Sequence, residues 1–382
     1  MELEIIQTQN VLTTRLNKRL REESDVDYNE NSQQSSQESI PSVSTYDPDS
    51  QSSEDSDDTL EPMWMLNNIN LSRILSEFRV TCYKKYLYQQ SLTVTEKMAV
   101  NRIYLMNQAN DCFTYCSGLN DIKTLLPDFF GLNKHYRKAS DEELLFINEI
   151  AYNKAAGLNL RAKQLVIEQL MNTGLETHAT VFYDLIKNHE ACFELSTADE
   201  SVFIDHALSP FVKAVFPVTH MLQKSGHFTS LEGNMNIKPD IKFHISINGD
   251  KFDCLLFEVK CPRSSSEDDL FKLSVEMQYI LNRLIEHGAA NPVVYGVLVY
   301  GHTCSIYKMA LVGPKVYVMI KMKVCFLPRS FEDLHVAIHT LSCFIQLRDL
   351  VCDEVQSIIK TKGARSPIIS WTQQAMIDIN QK

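Results

Sequence analysis

Glycine-rich phosphate-binding loops are missing from this chain of 382 residues. It contains only 12 glycines, and no segment matches GxGxxG or GxxxxGK. Those loops bring backbone N–H groups close to the phosphates of a dinucleotide or a nucleoside triphosphate. We therefore expect neither nicotinamide-dependent hydride transfer nor kinase activity.

Paired cysteines and long apolar runs are missing as well. None of the ten cysteines forms a CxxC pair, so the sequence predicts reduced thiols rather than a disulfide framework or a zinc ribbon. The longest apolar stretches, such as VVYGVLVY at 293–300, are far shorter than the ~20 residues that span a bilayer. We expect an intracellular protein with no membrane partner.

Negative charge is concentrated near the beginning of the chain. The formal net charge is −11, and residues 22–61 contain 13 Asp or Glu but no Lys or Arg. Residues 1–21 contribute +2, so residues 62–382 are neutral as a group. The neutrality of residues 62–382, the body of the protein, weakens the expectation of sequence-independent DNA binding, because that binding comes from Lys and Arg that neutralise phosphates.

The first 61 residues are predicted to be a disordered tail. They are rich in Ser, Gln and Asp and contain few large apolar side chains to bury. The acids of this tail could bind protein partners, or the tail could simply be solvated. RLNKRLR at 15–21 is typical of a nuclear import signal, although short basic runs also arise by chance. We expect a nuclear protein ahead of a cytoplasmic one.

Deletion of residues 1–61 is expected to leave the melting temperature of the remaining chain unchanged, because this segment has little apolar area to bury. Thermal denaturation of the full and truncated chains measures the difference. A clear fall in melting temperature on truncation would show that the tail docks on the body.

Two regions of different character follow the tail. Residues 62–190 have a helical pattern; SDEELLFINEIAYNKAAG, for example, begins with the cap residue Ser140 and acids in the first turn. Residues 191–363 are rich in strands, with a helix from about 267 to 287 and a last helix from about 331 to 360, before a C-terminal tail at 364–382. The predicted fold class is α/β (α+β), with a helical N-terminal half packed on a mixed sheet of four or five strands.

The candidate site lies on a β-hairpin. PDIKFHISI and FDCLLFEVK flank an Asn-Gly turn. If the loop contains the three residues 248–250, Asp240 opposes Glu258, and Lys260 joins them on the same face. A two-residue turn would instead place Asp240 opposite Phe257, unless a bulge intervenes. The clean apolar pattern on the other face favours the three-residue loop.

Two carboxylates at a strand end suit Mg²⁺ or Mn²⁺, which leave room for water and phosphate. Such an ion polarises a phosphodiester, and Lys260 could orient the nucleophile or stabilise the developing charge. The alternative is a surface-exposed hairpin on which Asp240, Glu258 and Lys260 form an ion pair at the sheet edge.

The segment KPD at 238–240, followed by FEVK at 257–260, resembles the PD-(D/E)XK nuclease superfamily, and within it the nuclease-like proteins of fungi. The resemblance covers about residues 196–330. It implies a restriction-endonuclease-like mixed sheet with flanking helices, metal binding by Asp240 and Glu258, and a catalytic role for Lys260. Glu200 matches the acid that many members place on the first core helix, where it would be a third metal ligand and catalytic residue. A helix-capping role is the alternative for Glu200.

The helix after the hairpin, KLSVEMQYILNRL, could supply the polar motif that some members of this superfamily carry. The candidates are Lys272, Glu276, Gln278 and Tyr279. Lys272 and Glu276 lie one helical turn apart and could also be an ordinary solvated pair.

Together these observations predict Mg²⁺-dependent hydrolysis of phosphodiester bonds in nucleic acid, with DNA expected ahead of RNA. The alternative is a nuclease-derived nucleic-acid-binding or scaffold protein without turnover. Convergence of Glu200, Asp240 and Glu258 around one point would favour the enzyme.

Overall fold

The computed structural model describes residues 64–107, 137–187 and 199–377, with gaps at 67, 158, 171–173, 220–221, 227, 248, 263, 265–267, 331 and 362–365. The predicted disordered tail and the basic run at 15–21 lie outside the described residues. None of the helices in the described part of the chain combines the length and the apolar character that a membrane crossing requires.

A seven-stranded mixed sheet is the centre of a mixed α/β fold, so the predicted number of four or five strands was too small. Its strands are β3 (Ile103–Asn107), β4 (Gln223–Lys224), β5 (Ile241–Ile247), β6 (Asp250–Lys260), β7 (Val293–Tyr300), β8 (Thr303–Gly313) and β9 (Val316–Phe326). The strand order is β3-β9-β8-β7-β6-β5-β4, with parallel pairing of β6 with β7 and of β3 with β9. A separate short pair consists of β1 (Met65–Leu66) and β2 (Ile69–Asn70).

Helices flank the sheet on both faces. The helices of the described residues are α1 (Leu71–Leu87), α2 (Val94–Val100), α3 (Asp141–Ala155), α4 (Asn159–Leu170), α5 (Glu176–Lys187), α6 (Glu200–Phe203), α7 (Ser209–Val215), α8 (Asp269–Glu286) and α9 (Val336–Thr361). A π-helical turn, Ile204–Leu208, joins α6 to α7. Ser140 caps α3 as predicted, because its hydroxyl accepts from the backbone N–H of Glu143 while the Glu143 carboxylate accepts from the N–H of Ser140.

Strand β3 was not predicted, since it lies within the region expected to be helical. The chain turns at Arg102, whose φ of 62° ends the preceding helix, and Ile103–Asn107 then pairs in parallel with β9. Ile103, Tyr104 and Met106 are buried there. Burial in the sheet therefore overrides the local helical pattern.

Helix α8 packs on the face of the sheet formed by β6 and β7. Gly296 on β7 permits the close approach, because a Cβ atom there would lie 2.7 Å from the Sδ atom of Met277 and 2.9 Å from a methyl carbon of Leu273. The backbone N–H of Gly301 donates to the carbonyl of Lys260 at 2.8 Å and holds the end of β6 against β7. These contacts fix the position of α8 above the strand that carries Glu258.

The opposite face of the sheet is covered by an aromatic cluster. The rings of Phe243 and Phe257, on β5 and β6, pack against Phe216 after α7 and Phe344 on α9, with centroids 5.3–6.3 Å apart. All four rings are buried. Because alternate residues of a strand face opposite sides, this packing turns Glu258 toward α8.

Candidate active site

The hairpin of β5 and β6 brings Asp240 opposite Glu258, but by a different route from the one predicted. Ile247 pairs with Asp250, so the turn has two residues rather than three. The register then shifts, because His244 pairs with Asp253 whereas Phe243 pairs with Leu255. Cys254 is thus the extra residue of a β-bulge, which restores the register that the shorter turn would have lost.

Both carboxylates are buried. Ile241 pairs with Phe257, so the next position places Asp240, just before β5 begins, opposite Glu258. Asp240 Oδ2 accepts a hydrogen bond from the backbone N–H of Val259 at 2.6 Å. Asp240 is 3% exposed and Glu258 is 0% exposed. The alternative of a surface-exposed ion pair is therefore wrong for these two residues.

Lys260 lies between the beginnings of two helices. Its Nζ atom is 2.8 Å from Glu200 Oε2 and 3.9 Å from Asp269 Oδ1. The cap of α6 is Asp199, whose carboxylate accepts from the N–H of Val202, so the helix-capping alternative for Glu200 is wrong. Asp269 was not predicted as a member of the site, although an acid at the start of the helix that follows the FEVK segment is a usable signal.

Two of the four polar candidates on α8 join the site. Lys272 Nζ donates to Glu258 Oε2 at 2.7 Å and to the carbonyl of Lys238 at 3.3 Å, and it lies 3.9 Å from Glu276 Oε1. Glu276 is fully buried, so Lys272 and Glu276 are not a solvated pair. Gln278 and Tyr279 instead line a neighbouring cavity.

The electrostatics of the site are dominated by buried negative charge. Burial, reinforced by the charge of Glu258, raises the pKa of Asp240 to about 7. Burial also raises the pKa of Glu258, although the positive charge of Lys272 opposes this shift. Burial and the charge of Glu258 raise the pKa of Glu276 well above its ordinary value. Because Lys272 lies closer to Glu258, Glu276 is the carboxyl of this pair that keeps its proton.

Both lysines of the site remain charged. Burial opposes the charge of Lys260, but the hydrogen bond and the negative charge of Glu200 outweigh it and raise the pKa of Lys260. For Lys272 burial has the same opposing effect, and the charges of Glu258 and Glu276 again raise its pKa. At neutral pH neither side chain can accept a proton, so each acts as a fixed positive charge or hydrogen-bond donor.

The residues present fit a divalent cation held by two carboxylates. Glu258 accepts hydrogen bonds from Lys272 and from the protonated carboxyl group of Glu276, and both contacts favour its ionised form. Mg²⁺ is usually bound through one or two carboxylates together with water and substrate phosphate. Asp240 and Glu258 meet that requirement, and Mn²⁺ would use the same oxygen ligands.

The predicted three-carboxylate metal set is not assembled. Across the described residues, no group of three or more His, Cys, Asp or Glu side chains is arranged to hold a metal ion. Glu200 contributes to the negative potential at Asp240, but its carboxylate is hydrogen-bonded to Lys260. Glu200 is thus placed to position Lys260 rather than to bind the ion.

Comparison of the chain with protein-family models, with curated proteins and with solved structures finds no match. The resemblance to the PD-(D/E)XK superfamily therefore depends on the residues of the hairpin and on their arrangement with α6 and α8. Assignment to that superfamily remains a prediction.

Proposed function

We propose that this protein is a metal-dependent phosphodiesterase that hydrolyses nucleic acid at Asp240 and Glu258. The observation that carries the proposal is an excess of buried or half-buried carboxyl groups over cations at one strand end. The carboxyl groups are Glu200, Asp240, Glu258, Asp269 and Glu276, and the cations are Lys260 and Lys272. A divalent cation would relieve this excess, because it favours the ionised form of the two carboxylates that bind it.

The roles of the side chains follow from their contacts. When bound, Mg²⁺ or Mn²⁺ supplies Lewis-acid polarisation of the phosphodiester. Asp240 and Glu258 would hold the ion, with Asp240 fixed by the N–H of Val259 and Glu258 by Lys272. Lys260, kept protonated and oriented by Glu200, would stabilise the negative charge that develops on the phosphoryl oxygens. Protonated Glu276 would limit the repulsion beside Glu258.

The direct experiment is cleavage of labelled DNA and of labelled RNA by the purified full chain. Mg²⁺ and Mn²⁺ are each added, and EDTA provides the metal-free control. Product formation that requires the ion supports the proposal. Intact substrates of both kinds, together with an unchanged melting temperature across the metal titrations, would contradict it.

Lys260→Ala is expected to lower the cleavage rate about a hundredfold or more, because a charge that acts on the transition state is lost. Binding of the uncleaved substrate should change little, since the proposed contact forms chiefly in the transition state. Lys251→Ala removes an exposed lysine from the same strand and serves as the matched control. Equal loss of binding and of cleavage in Lys260→Ala would show that Lys260 acts in substrate affinity instead.

A second candidate function is a nucleic-acid-binding protein without turnover. Two observations favour it: among the described residues Glu200 does not join Asp240 and Glu258 in a metal-binding group, and Glu200 pairs closely with Lys260, which engages the proposed catalytic cation. This candidate predicts nucleic-acid binding that persists in EDTA and no cleavage with either ion.

A further inference from the structure

A polar cavity of about 200 Å³ lies beside the candidate active site. Its walls come from the loop before β5, from α8 and from the C-terminal segment after α9. The polar part of its lining consists of Asn234, Asn236, Gln278, Tyr279, Asn282 and Gln374, and the remainder is apolar. None of these side chains carries a charge at neutral pH, so the cavity suits a neutral ligand with hydrogen-bonding edges rather than a phosphate or a metal ion.

The C-terminal wall is held in place by side-chain hydrogen bonds. Asn101 Oδ1 accepts from the backbone N–H groups of Met376 and Ile377, each at 2.9 Å. Asn282 Nδ2 donates to the carbonyl of Gln373 at 2.8 Å, and its Oδ1 accepts from the Tyr317 hydroxyl at 2.6 Å. These bonds form between segments that are far apart in sequence. The cavity is therefore preformed, which lowers the entropic cost of binding.

Gln278 forms a fixed part of the cavity wall. Its Nε2 atom donates to the carbonyl of Asn101 at 3.0 Å, which fixes the orientation of the amide. The other amide atom, Oε1, is buried and accepts no hydrogen bond from the described residues. Because this oxygen is enclosed by the protein and the Gln278 side chain also contacts the Tyr317 hydroxyl, it is not open to a ligand in the cavity. The amides that are open to a ligand are those of Asn236 and Gln374, whose exposed side chains line the cavity and offer both donors and acceptors.

The cavity and the candidate site share two structural elements. On α8, Val275 and Gln278 line the cavity, while Glu276 between them belongs to the site. Ile237 lines the cavity and is three residues from Asp240, so the two Cα atoms are at most about 11 Å apart. A nucleotide chain whose phosphate lies at Asp240 and Glu258 would thus bring an adjacent base within reach of the cavity.

We propose that this cavity binds the base of an unpaired nucleotide next to the phosphodiester at the candidate site. The inference rests on the proposed function and specifies its substrate as single-stranded nucleic acid or a locally opened strand. The cavity is smaller than the ~300–1,000 Å³ of drug-sized ligand sites, so it suits one ring system rather than a duplex. A base presents its Watson–Crick donors and acceptors to Asn236 and Gln374 only when that edge is unpaired, and Tyr279 supplies an aromatic side chain of the kind on which bases stack.

The test measures binding by the full chain in EDTA, so that cleavage does not interfere. Fluorescein-labelled single-stranded oligonucleotides, of DNA and of RNA, are compared with the corresponding duplexes by fluorescence anisotropy. Ala375→Phe fills the cavity, and Gln374→Leu removes one of the exposed amides that line it. Ser370→Phe, at an exposed position of the same C-terminal segment outside the cavity, is the matched control. Melting temperatures identify any variant that is unfolded; Asn236→Trp, at the exposed rim, then replaces it.

We expect the single strand to bind at least about tenfold more tightly than the duplex. The cavity variants should lose about tenfold or more in single-strand affinity, in keeping with the loss of one stacked base, whereas Ser370→Phe should not. Equal affinity for single strand and duplex, no measurable binding, or unchanged affinity in the folded cavity variants would overturn the inference. Cleavage with Mg²⁺ that shows no such discrimination would overturn this inference alone. Discrimination without any metal-dependent cleavage would overturn the proposed hydrolysis alone.

Discussion

Asp240→Asn and Glu258→Gln should each reduce Mg²⁺-dependent cleavage to background while leaving the metal-free protein at least as stable as the parent. Each substitution removes one of the two proposed carboxylate ligands but retains a side-chain oxygen that can accept the existing hydrogen bond from Val259 or Lys272. Each also removes part of the repulsion among buried acids. Loss of activity without loss of stability separates a functional carboxylate from a structural one.

Two measurements check this expectation. Cleavage assays report the activity, and thermal denaturation reports the stabilisation by the ion, which for a true site is about 2.7 kcal/mol at 100 times the dissociation constant. Asp250→Asn and Glu286→Gln carry the same chemical changes at exposed positions on β6 and α8, and both should behave as the parent. Retained cleavage in Asp240→Asn or Glu258→Gln would show that the buried pair is not the metal site.

In the absence of metal, the free energy of unfolding should decrease as the pH rises from about 4 to about 7. The pKa of Asp240 is raised from 3.8 to about 7 in the folded protein. Between these values the folded protein keeps a proton that the unfolded chain releases, so the folded state loses relative stability as the pH rises. At roughly 1.4 kcal/mol per pKa unit, the decrease from Asp240 is on the order of 4 kcal/mol. The raised pKa values of Glu258 and Glu276 act in the same direction.

Urea denaturation in EDTA at several pH values measures this decrease. Asp240→Asn should reduce the slope, and the difference between parent and variant isolates Asp240 from the other groups that titrate in the same range. Mg²⁺ added at pH 8 should restore stability to the parent but not to the variant. Parallel stability curves for parent and variant would contradict the assignment of a raised pKa to Asp240.

The sequence correctly predicted that Asp240 and Glu258 lie together at the site, but not the backbone path that joins them. The alternation of polar and apolar residues correctly placed Asp240 and Glu258 together, because two buried faces constrain the register of a hairpin. The inferred three-residue turn was wrong, since an alternating pattern does not reveal a bulge in the middle of β6. Helix α8 begins and ends within about two residues of its predicted bounds, in line with its apolar face.

Other parts of the site depend on contacts between distant segments. Lys272 and Glu276 have the spacing of an exposed pair, and only the packing of α8 on the sheet buries Glu276 beside Glu258. Strand β3 pairs with β9, more than two hundred residues away, so local pattern does not identify its partner. Glu200 was predicted at the site, but its role beside Lys260 emerges only from the approach of α6 to the end of β6.

With the bulge at Cys254, Asp240 and Glu258 face the same side of the sheet. Whether they do so depends on whether the number of residues between them is odd or even. The two-residue turn alone would point the acids to opposite sides of the sheet. The one extra residue of the bulge returns them to the same side. A three-residue turn with a regular strand would place the two acids on the same side as well. A longer turn and a bulge therefore have the same effect on which side each acid faces. A one-residue insertion or deletion anywhere between the two acids would therefore turn one of the two carboxylates to the opposite side of the sheet, unless a second such change compensates for it.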